Sequence, residues 1–250
     1  MSQKVVSALI VGAMEISVAD SQWTPAQSFV RYALDIGALT LFPGEGRMLK
    51  SKRVSPYFFN SGRFNTAGTI DKLASAYVDV IEEHYGTMDV LPEVIFGPAY
   101  KGIQIATMVA YQLSLGSEDG YDPGVAFNRK EAKDHGEGGI LVGCSLAGKR
   151  VLIVDDVITD GASKREAVEL IWAEGGIPIG CVIAFDRQER GIKEGDTCSA
   201  AQRFQEDFGL PVYAAATLDD LILVLEEGAD IPGAGETLPK ILAYKDQYGV

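Results

Sequence analysis

The chain has 250 residues, 22 basic and 35 acidic, for a formal net charge of −13 at pH 7. Hydrophobic residues make up 47% and charged ones 23%, ordinary globular proportions that exclude a disordered chain, a disulfide scaffold and a fibrous repeat. Such an acidic molecule repels polyanions as a whole, which argues against nucleic acid or an anionic membrane as partner; a phosphorylated ligand would need a local cluster of cations.

Residues 1–23 form an N-terminal extension of unassigned role. Its apolar run, Val5 to Met14, is well short of the roughly 18 residues that span a bilayer. Lys4 before it and Ser17-Val18-Ala19 after it are compatible with a signal peptide. Glu15 follows at once and the cysteines do not look secretory, so a peripheral strand or helix, or an extension upstream of a start at Met14, is the preferred account. Thr24-Pro25-Ala26-Gln27 opens the first clear helix with an N-cap, a proline at N1 and a capping box, and Gly37 stops it. From Ala38 to Asn60 short β-like pieces, LTLF and SPYFFN, surround a basic stretch. Thr69 is read as the cap of a second helix, whose apolar positions Ile70, Leu73, Ala74, Tyr77, Val78 and Ile81 keep the helical period up to Gly86.

Strand and helix then alternate. Glu93 to Phe96 read as strand, Ile103 to Leu115 as helix and Val125 to Asn128 as strand, followed by a polar, glycine-rich stretch from Arg129 to Gly139. Val151 to Val154 are strand, Ser163 to Ala173 helix, Ile177 to Phe185 and Val212 to Ala215 strands, and Thr217 caps a helix from Leu218 to Glu227. This alternation predicts an α/β fold, a parallel sheet with right-handed crossovers, whose ligands sit beyond the carboxyl ends of the strands. Those ends carry Gly97 to Lys101, Asp155 to Thr159, and Asp186-Arg187. Cys144, Cys181 and Cys198 form no C-x-x-C pair, so a reducing cytoplasm is the natural setting.

In VLIVDDVITDGAS, Val151 to Ser163, a buried strand delivers two adjacent carboxylates, and a short loop then enters a helix. Backbone N–H groups at such a turn cradle an anion, and the helix dipole adds partial positive charge. The carboxylates suit a sugar diol or a magnesium ion held through water and ligand oxygens. The pattern resembles the phosphoribosyl-diphosphate signature of type I phosphoribosyltransferases. Four further segments resemble the orotate phosphoribosyltransferases in particular: Lys50 to Arg53 with Ser55 to Asn60, Gly97 to Ile103, Phe127 to Gly139, and Asp186 to Gly191. The similarity runs from about Thr24 to Val224 and extends to the C-terminal helix.

The resemblance implies a Rossmann-like parallel sheet flanked by helices, with a small N-terminal hood (about 38–60), a core (about 69–228), a flexible catalytic loop and a C-terminal helix (about 236–248), all within one domain spanning 24–250. It implies that orotate and phosphoribosyl diphosphate are converted, with Mg2+, to orotidine 5′-phosphate and diphosphate, in a homodimer whose lid crosses the two-fold interface. Asp155 and Asp156 then lie along the ribose hydroxyls, and Val157, Ile158, Thr159, Asp160, Gly161, Ala162 and Ser163 hold the 5-phosphate. Asp160, where a small residue is commoner, is expected to point outward. Lys101, Arg129, Lys130, Lys133 and His135 surround the diphosphate, with Lys133, His135, Asp155 and Asp156 carrying catalysis. Lys50 borders the ring, Phe58 and Phe59 wall it, and Thr159 and Arg187 hold its polar edge and carboxylate. Tyr100 is expected to pack or to contact the ribose side.

Charge distribution agrees. The windows 47–53 and 129–133 hold Arg47, Lys50, Lys52, Arg53, Arg129, Lys130 and Lys133, seven of the 22 basic residues, where even spreading puts about one. A planar, bidentate arginine at a strand end, Arg187, suits a carboxylate better than lysine does. The polar stretch from Arg129 to Gly139 reads as a lid that excludes water. Two rivals share the phosphate loop: a purine phosphoribosyltransferase, without the Phe58, Phe59 and Arg187 set, and a non-catalytic phosphoribosyl-diphosphate-sensing regulator, without the lid cations.

Overall fold

The computed structural model describes residues 23–87, 90–117, 119–133, 139–158, 161–192, 195–228 and 230–250. Apart from Trp23, the N-terminal extension lies outside them. Helix α1 (Pro25–Asp35) begins with the expected box: Thr24 Oγ1 accepts from Gln27 N at 3.2 Å, and Thr24 N donates to Gln27 Oε1 at 3.0 Å. Gly37, at φ +67°, takes the left-handed turn beyond its end.

Two small ribbons follow. β1 (Leu39–Leu41) pairs antiparallel with β4 (Tyr57–Phe59), and β2 (Arg47–Met48) with β3 (Val54–Ser55). Helix α2 (Ala67–Tyr85) corrects one expectation, since its N-cap is Thr66 and Thr69 is the N3 residue. The two threonines reciprocate, Thr66 Oγ1 accepting from Thr69 N at 3.3 Å and Thr69 Oγ1 from Thr66 N at 3.0 Å. A threonine at N3 does the work usually done by Glu or Gln.

The remaining elements are β5 (Val94–Phe96), α3 (Lys101–Gly116), β6 (Gly124–Lys133), β7 (Gly139–Gly143), β8 (Arg150–Asp155), α4 (Ala162–Ala173), β9 (Ile177–Asp186), α5 (Ala200–Phe208), β10 (Val212–Thr217), α6 (Leu218–Glu227) and α7 (Ala234–Tyr248). Among the described residues β10, β9, β8, β5, β6 and β7 form one sheet in that order. Every pairing is parallel except β6 with β7. The central strands β5, β8 and β9 bury both faces, and alternate residues serve opposite layers. Leu152, Val154, Val182 and Ala184 meet α1, α2, α3 and α6; Val151, Ile153, Cys181 and Ile183 meet α4 and α5.

Three further expectations change. Arg129 to Lys133, read as the first part of a lid, continue strand β6, and β7 returns beside them with Asn128 opposite Leu141 and Lys133 opposite Gly139. Helix α5 was not anticipated, although Ser199 and Gln202 make a full capping box. The last helix begins at Ala234, not near 236. No helix among the described residues is long and apolar enough to cross a membrane.

Candidate active site

Parallel pairing brings the carboxyl ends of β5, β6, β8 and β9 to one edge of the sheet, and the polar groups of the molecule converge there. At the end of β5 the chain turns through Gly97 to Tyr100 into α3. A Cβ on Gly97 would stand 2.0 Å from the Gly102 carbonyl oxygen, so this close backbone approach requires glycine. Asn128 Oδ1, on β6, accepts from Ala99 N at 2.9 Å and ties the turn to the neighbouring strand. The Ala99–Tyr100 peptide is cis. Tyr100 is 73% exposed, which leaves the ribose-side contact as the one of its two expected roles still open.

The adjacent acids at the end of β8 have different environments. Asp155 is 7% exposed, and its Oδ2 lies 2.5 Å from Lys164 Nζ. Burial lifts its carboxyl above the usual carboxylate range in spite of that ammonium. Tyr77 OH donates to the Asp155 carbonyl at 2.6 Å. Asp156, 9% exposed, accepts at Oδ2 from Lys101 Nζ at 2.6 Å and from Ser61 Oγ at 2.7 Å. Burial pushes its carboxyl up, but the hydrogen bonds from Lys101 and Ser61 outweigh it and hold the group below its ordinary value.

Beyond Asp156 the Ile158 side chain enters the core, and Gly161, at φ +76°, forms the N-cap of α4 with no side-chain cap. The loop presents a helix N-terminus made of backbone, flanked by Ala162 and half-buried Ser163. Thr159, Asp160 and His135 lie outside the described residues. So does the side chain of Lys133, whose backbone ends β6. Of the remaining loop cations, Lys130 is exposed and Arg129 NH1 reaches the Gly139 carbonyl at 3.5 Å.

The third corner lies between β9 and the ribbons. Arg187 donates from Nε to Glu189 Oε1 at 2.7 Å and from NH2 to Ser55 Oγ at 3.0 Å, with its guanidinium 4.5 Å from the Tyr57 ring centroid. Burial opposes its charge, but Tyr57 and Glu189 raise it, keeping the guanidinium firmly protonated. Alternation along β4 divides the two phenylalanines. Phe59 stacks on Phe185 at 5.4 Å and is 7% exposed, so of the two rings it is the one that belongs to the core. Phe58 turns to the other face beneath Arg47, 4.0 Å from its guanidinium. Lys50 is exposed in the turn between β2 and β3.

Sequence reasoning missed Lys164, Ser61 and Glu189. Lys164 had a signal, because with the buried residues Ala167, Val168 and Ile171 it completes an i, i+3, i+4, i+7 stripe on α4. A lysine in an apolar stripe points to a buried partner, here Asp155. Ser61 had none, since its partner Asp156 lies 95 residues on; Glu189 stood two residues from Arg187, but its second partner, Arg53, is 136 residues away.

A parallel sheet with two acids and a glycine-led helix N-terminus at its carboxyl edge defines a phosphoribosyltransferase, and the phosphoribosyl transferase domain family matches residues 67–212. The chain is 48% identical to the orotate phosphoribosyltransferase of Stenotrophomonas maltophilia, over 81% of this chain and 87% of that protein. It is 45% identical to that of Cupriavidus metallidurans, over 92% of this chain and 99% of the other. The crystal structure of orotate phosphoribosyltransferase from Francisella tularensis superposes with a TM-score of 0.75 at 32% identity, covering 89% of this chain and all of that one. The chain belongs to the orotate phosphoribosyltransferase family.

Proposed function

We propose that the protein transfers the ribose 5-phosphate unit of phosphoribosyl diphosphate to orotate, giving orotidine 5′-phosphate and diphosphate, a step of pyrimidine biosynthesis. The observation that carries this reading is the presence of three polar elements along the carboxyl ends of the strands: the Asp155-Asp156 pair, the glycine-led start of α4, and Arg187 beyond β9.

In this reading the N-terminus of α4 holds the 5-phosphate through backbone from Val157 to Ser163, and the two acids align the ribose hydroxyls. Lys101 faces the departing diphosphate, with Arg129, Lys130, Lys133 and His135 added from the β6–β7 ribbon. A ring nitrogen of orotate attacks the anomeric carbon as the bond to the diphosphate oxygen breaks, through a transition state of oxocarbenium character, and the proton that nitrogen carried passes to the departing diphosphate or to water. The ring N–H of orotate is itself acidic, so no strong base is demanded. Positioning and neutralisation of the leaving group supply most of the rate. Two neighbouring carboxylates are suitable donors for magnesium when substrate phosphates and water complete its shell. Asp155 and Asp156 would hold the ion through water, and it would offset charge on the diphosphate.

Arg187 favours orotate over a purine, because a guanidinium held at the ring site matches a carboxylate. We place the protein in the cytoplasm as a homodimer whose ribbon reaches the partner's site, with the β1–β4 ribbons as a hood over a single domain. The deciding experiment mixes protein, magnesium, phosphoribosyl diphosphate and orotate and follows loss of orotate absorbance, with hypoxanthine, adenine and uracil as controls. Turnover of orotate alone supports the reading, and turnover of a purine instead overturns it.

A further inference from the structure

Arg187 does not stand alone. Glu189, two residues on, is shared by two arginines: its Oε1 meets Arg187, and its Oε2 lies 3.2 Å from Arg53 NH1, with Arg53 coming from the start of the β3 ribbon. All three side chains are nearly buried, at 14%, 12% and 15% exposure for Arg53, Glu189 and Arg187. Arg53 also donates to the carbonyls of Arg190 and Gly191, each at 2.8 Å, and lies 4.7 Å from the Tyr248 ring centroid.

The backbone around Glu189 is clamped as tightly. Gln188, at φ +51°, donates from N to Asp186 Oδ1 at 2.9 Å, and its carbonyl accepts from Val250 N at 3.0 Å. Arg190 N donates to the Tyr248 carbonyl at 2.8 Å, and Glu189 bridges to Gly249. The backbone thus holds Glu189 where it takes the Nε and NH2 side of the Arg187 fork; Ser55 takes the other hydrogen of NH2, and the hydrogens these two leave belong to NH1, with the Tyr244 hydroxyl close to both Arg187 and Glu189.

We propose that Glu189 is the positioning residue of the ring-acid site: it fixes the Arg187 guanidinium so that one edge remains for the substrate carboxylate, and it offsets one of two buried arginines. The proposal rests on the orotate reading of Arg187. Of the three side chains two are positive and one negative, with half-buried Asp186 adjoining Arg187; without Glu189 the two guanidiniums would lose the carboxylate they share and repel at close quarters in a poorly hydrated site. A fork fixed on one edge also pays less ordering entropy on binding, an advantage of a preorganised site.

The test is steady-state kinetics of the full chain with orotate and phosphoribosyl diphosphate as varied substrates. Glu189→Gln, which preserves shape and removes charge, should raise KM for orotate tenfold or more while KM for phosphoribosyl diphosphate stays within twofold. Glu189→Asp, charged but one methylene shorter, should fall between it and wild type. An unchanged or lower orotate KM in Glu189→Gln, or equal movement of both KM values, overturns the proposal in favour of a purely structural glutamate. Should Glu189→Gln fail to fold, Glu189→Asp decides on the same split. Wild type that ignores orotate would instead sink the functional reading, so the two failures are distinguishable.

Discussion

Lys164 lies beneath Asp155, its ammonium 2.5 Å from the carboxylate and 2.6 Å from the Val157 carbonyl, with 4% of the lysine exposed. One buried cation thus fixes both the first acid of the site and the first residue of the phosphate loop. Lys164→Met would leave a buried carboxylate without its partner, and we expect a loss of about 3–5 kcal/mol in urea unfolding. The double variant Lys164→Met with Asp155→Asn should recover most of it. A wild-type midpoint for the single variant would contradict the pair's burial.

Gly97 offers a second test. Its Cβ would collide with backbone, the Gly102 carbonyl, which cannot rotate away. Gly97→Ala should cost at least about 1–3 kcal/mol and weaken binding of phosphoribosyl diphosphate through the displaced turn. Gly116, at the end of α3 with open space about it, is the control. Gly116→Ala should be neutral or slightly stabilising. Equal thermal midpoints for the two variants would refute the close approach.

Asp219 ties α6 to the segment after β9. Burial raises its carboxyl, but hydrogen bonds from Lys245 and Gln188 and the Lys245 charge outweigh that and hold it below its ordinary value. A depressed acid contributes stability above the unfolded-state value and loses it as pH falls through the folded one. The stability difference between wild type and Lys245→Met should therefore be present at neutral pH and vanish in strong acid. It should also shrink with added salt, because the carboxylate is about half exposed. A difference independent of pH would assign the loss to packing of the lysine stem.

The β6–β7 ribbon carries the proposed lid. Lys133→Ala and His135→Ala should each lower turnover by on the order of a hundredfold while orotate KM changes little. Mixing either with Arg187→Ala should restore part of the activity if each site takes its ribbon from the partner. A mixture as inactive as its components would confine the site to one chain.

The fold was legible wherever one signal dominated. Thr24 and Gln27 announced α1, and Val151 to Val154 announced a buried strand with acids at its end. Strand β7 was not legible, because Gly139 and Gly143 flank only three apolar residues, and its pairing depends on a partner that reads as polar loop. Helix α5 carried a capping box but buries only Ala201 and Phe204, too thin a stripe to stand out. In the site, the positions of Asp155, Lys101 and Arg187 followed from strand ends. Their mutual neutralisation did not, because Ser61 reaches Asp156 only across the folded chain, and the local pairs Lys164–Asp155 and Glu189–Arg187 depend on side-chain directions that the helix and the turn set. The pair Phe58-Phe59 could not be divided until the register of β1 with β4 set one ring inward.

Lys133 and Gly139 stand opposite each other across the ribbon. Further back along β6, Asn128 pairs with Leu141 and also anchors the Ala99 turn, so a disturbance of the ribbon is passed directly to the start of α3.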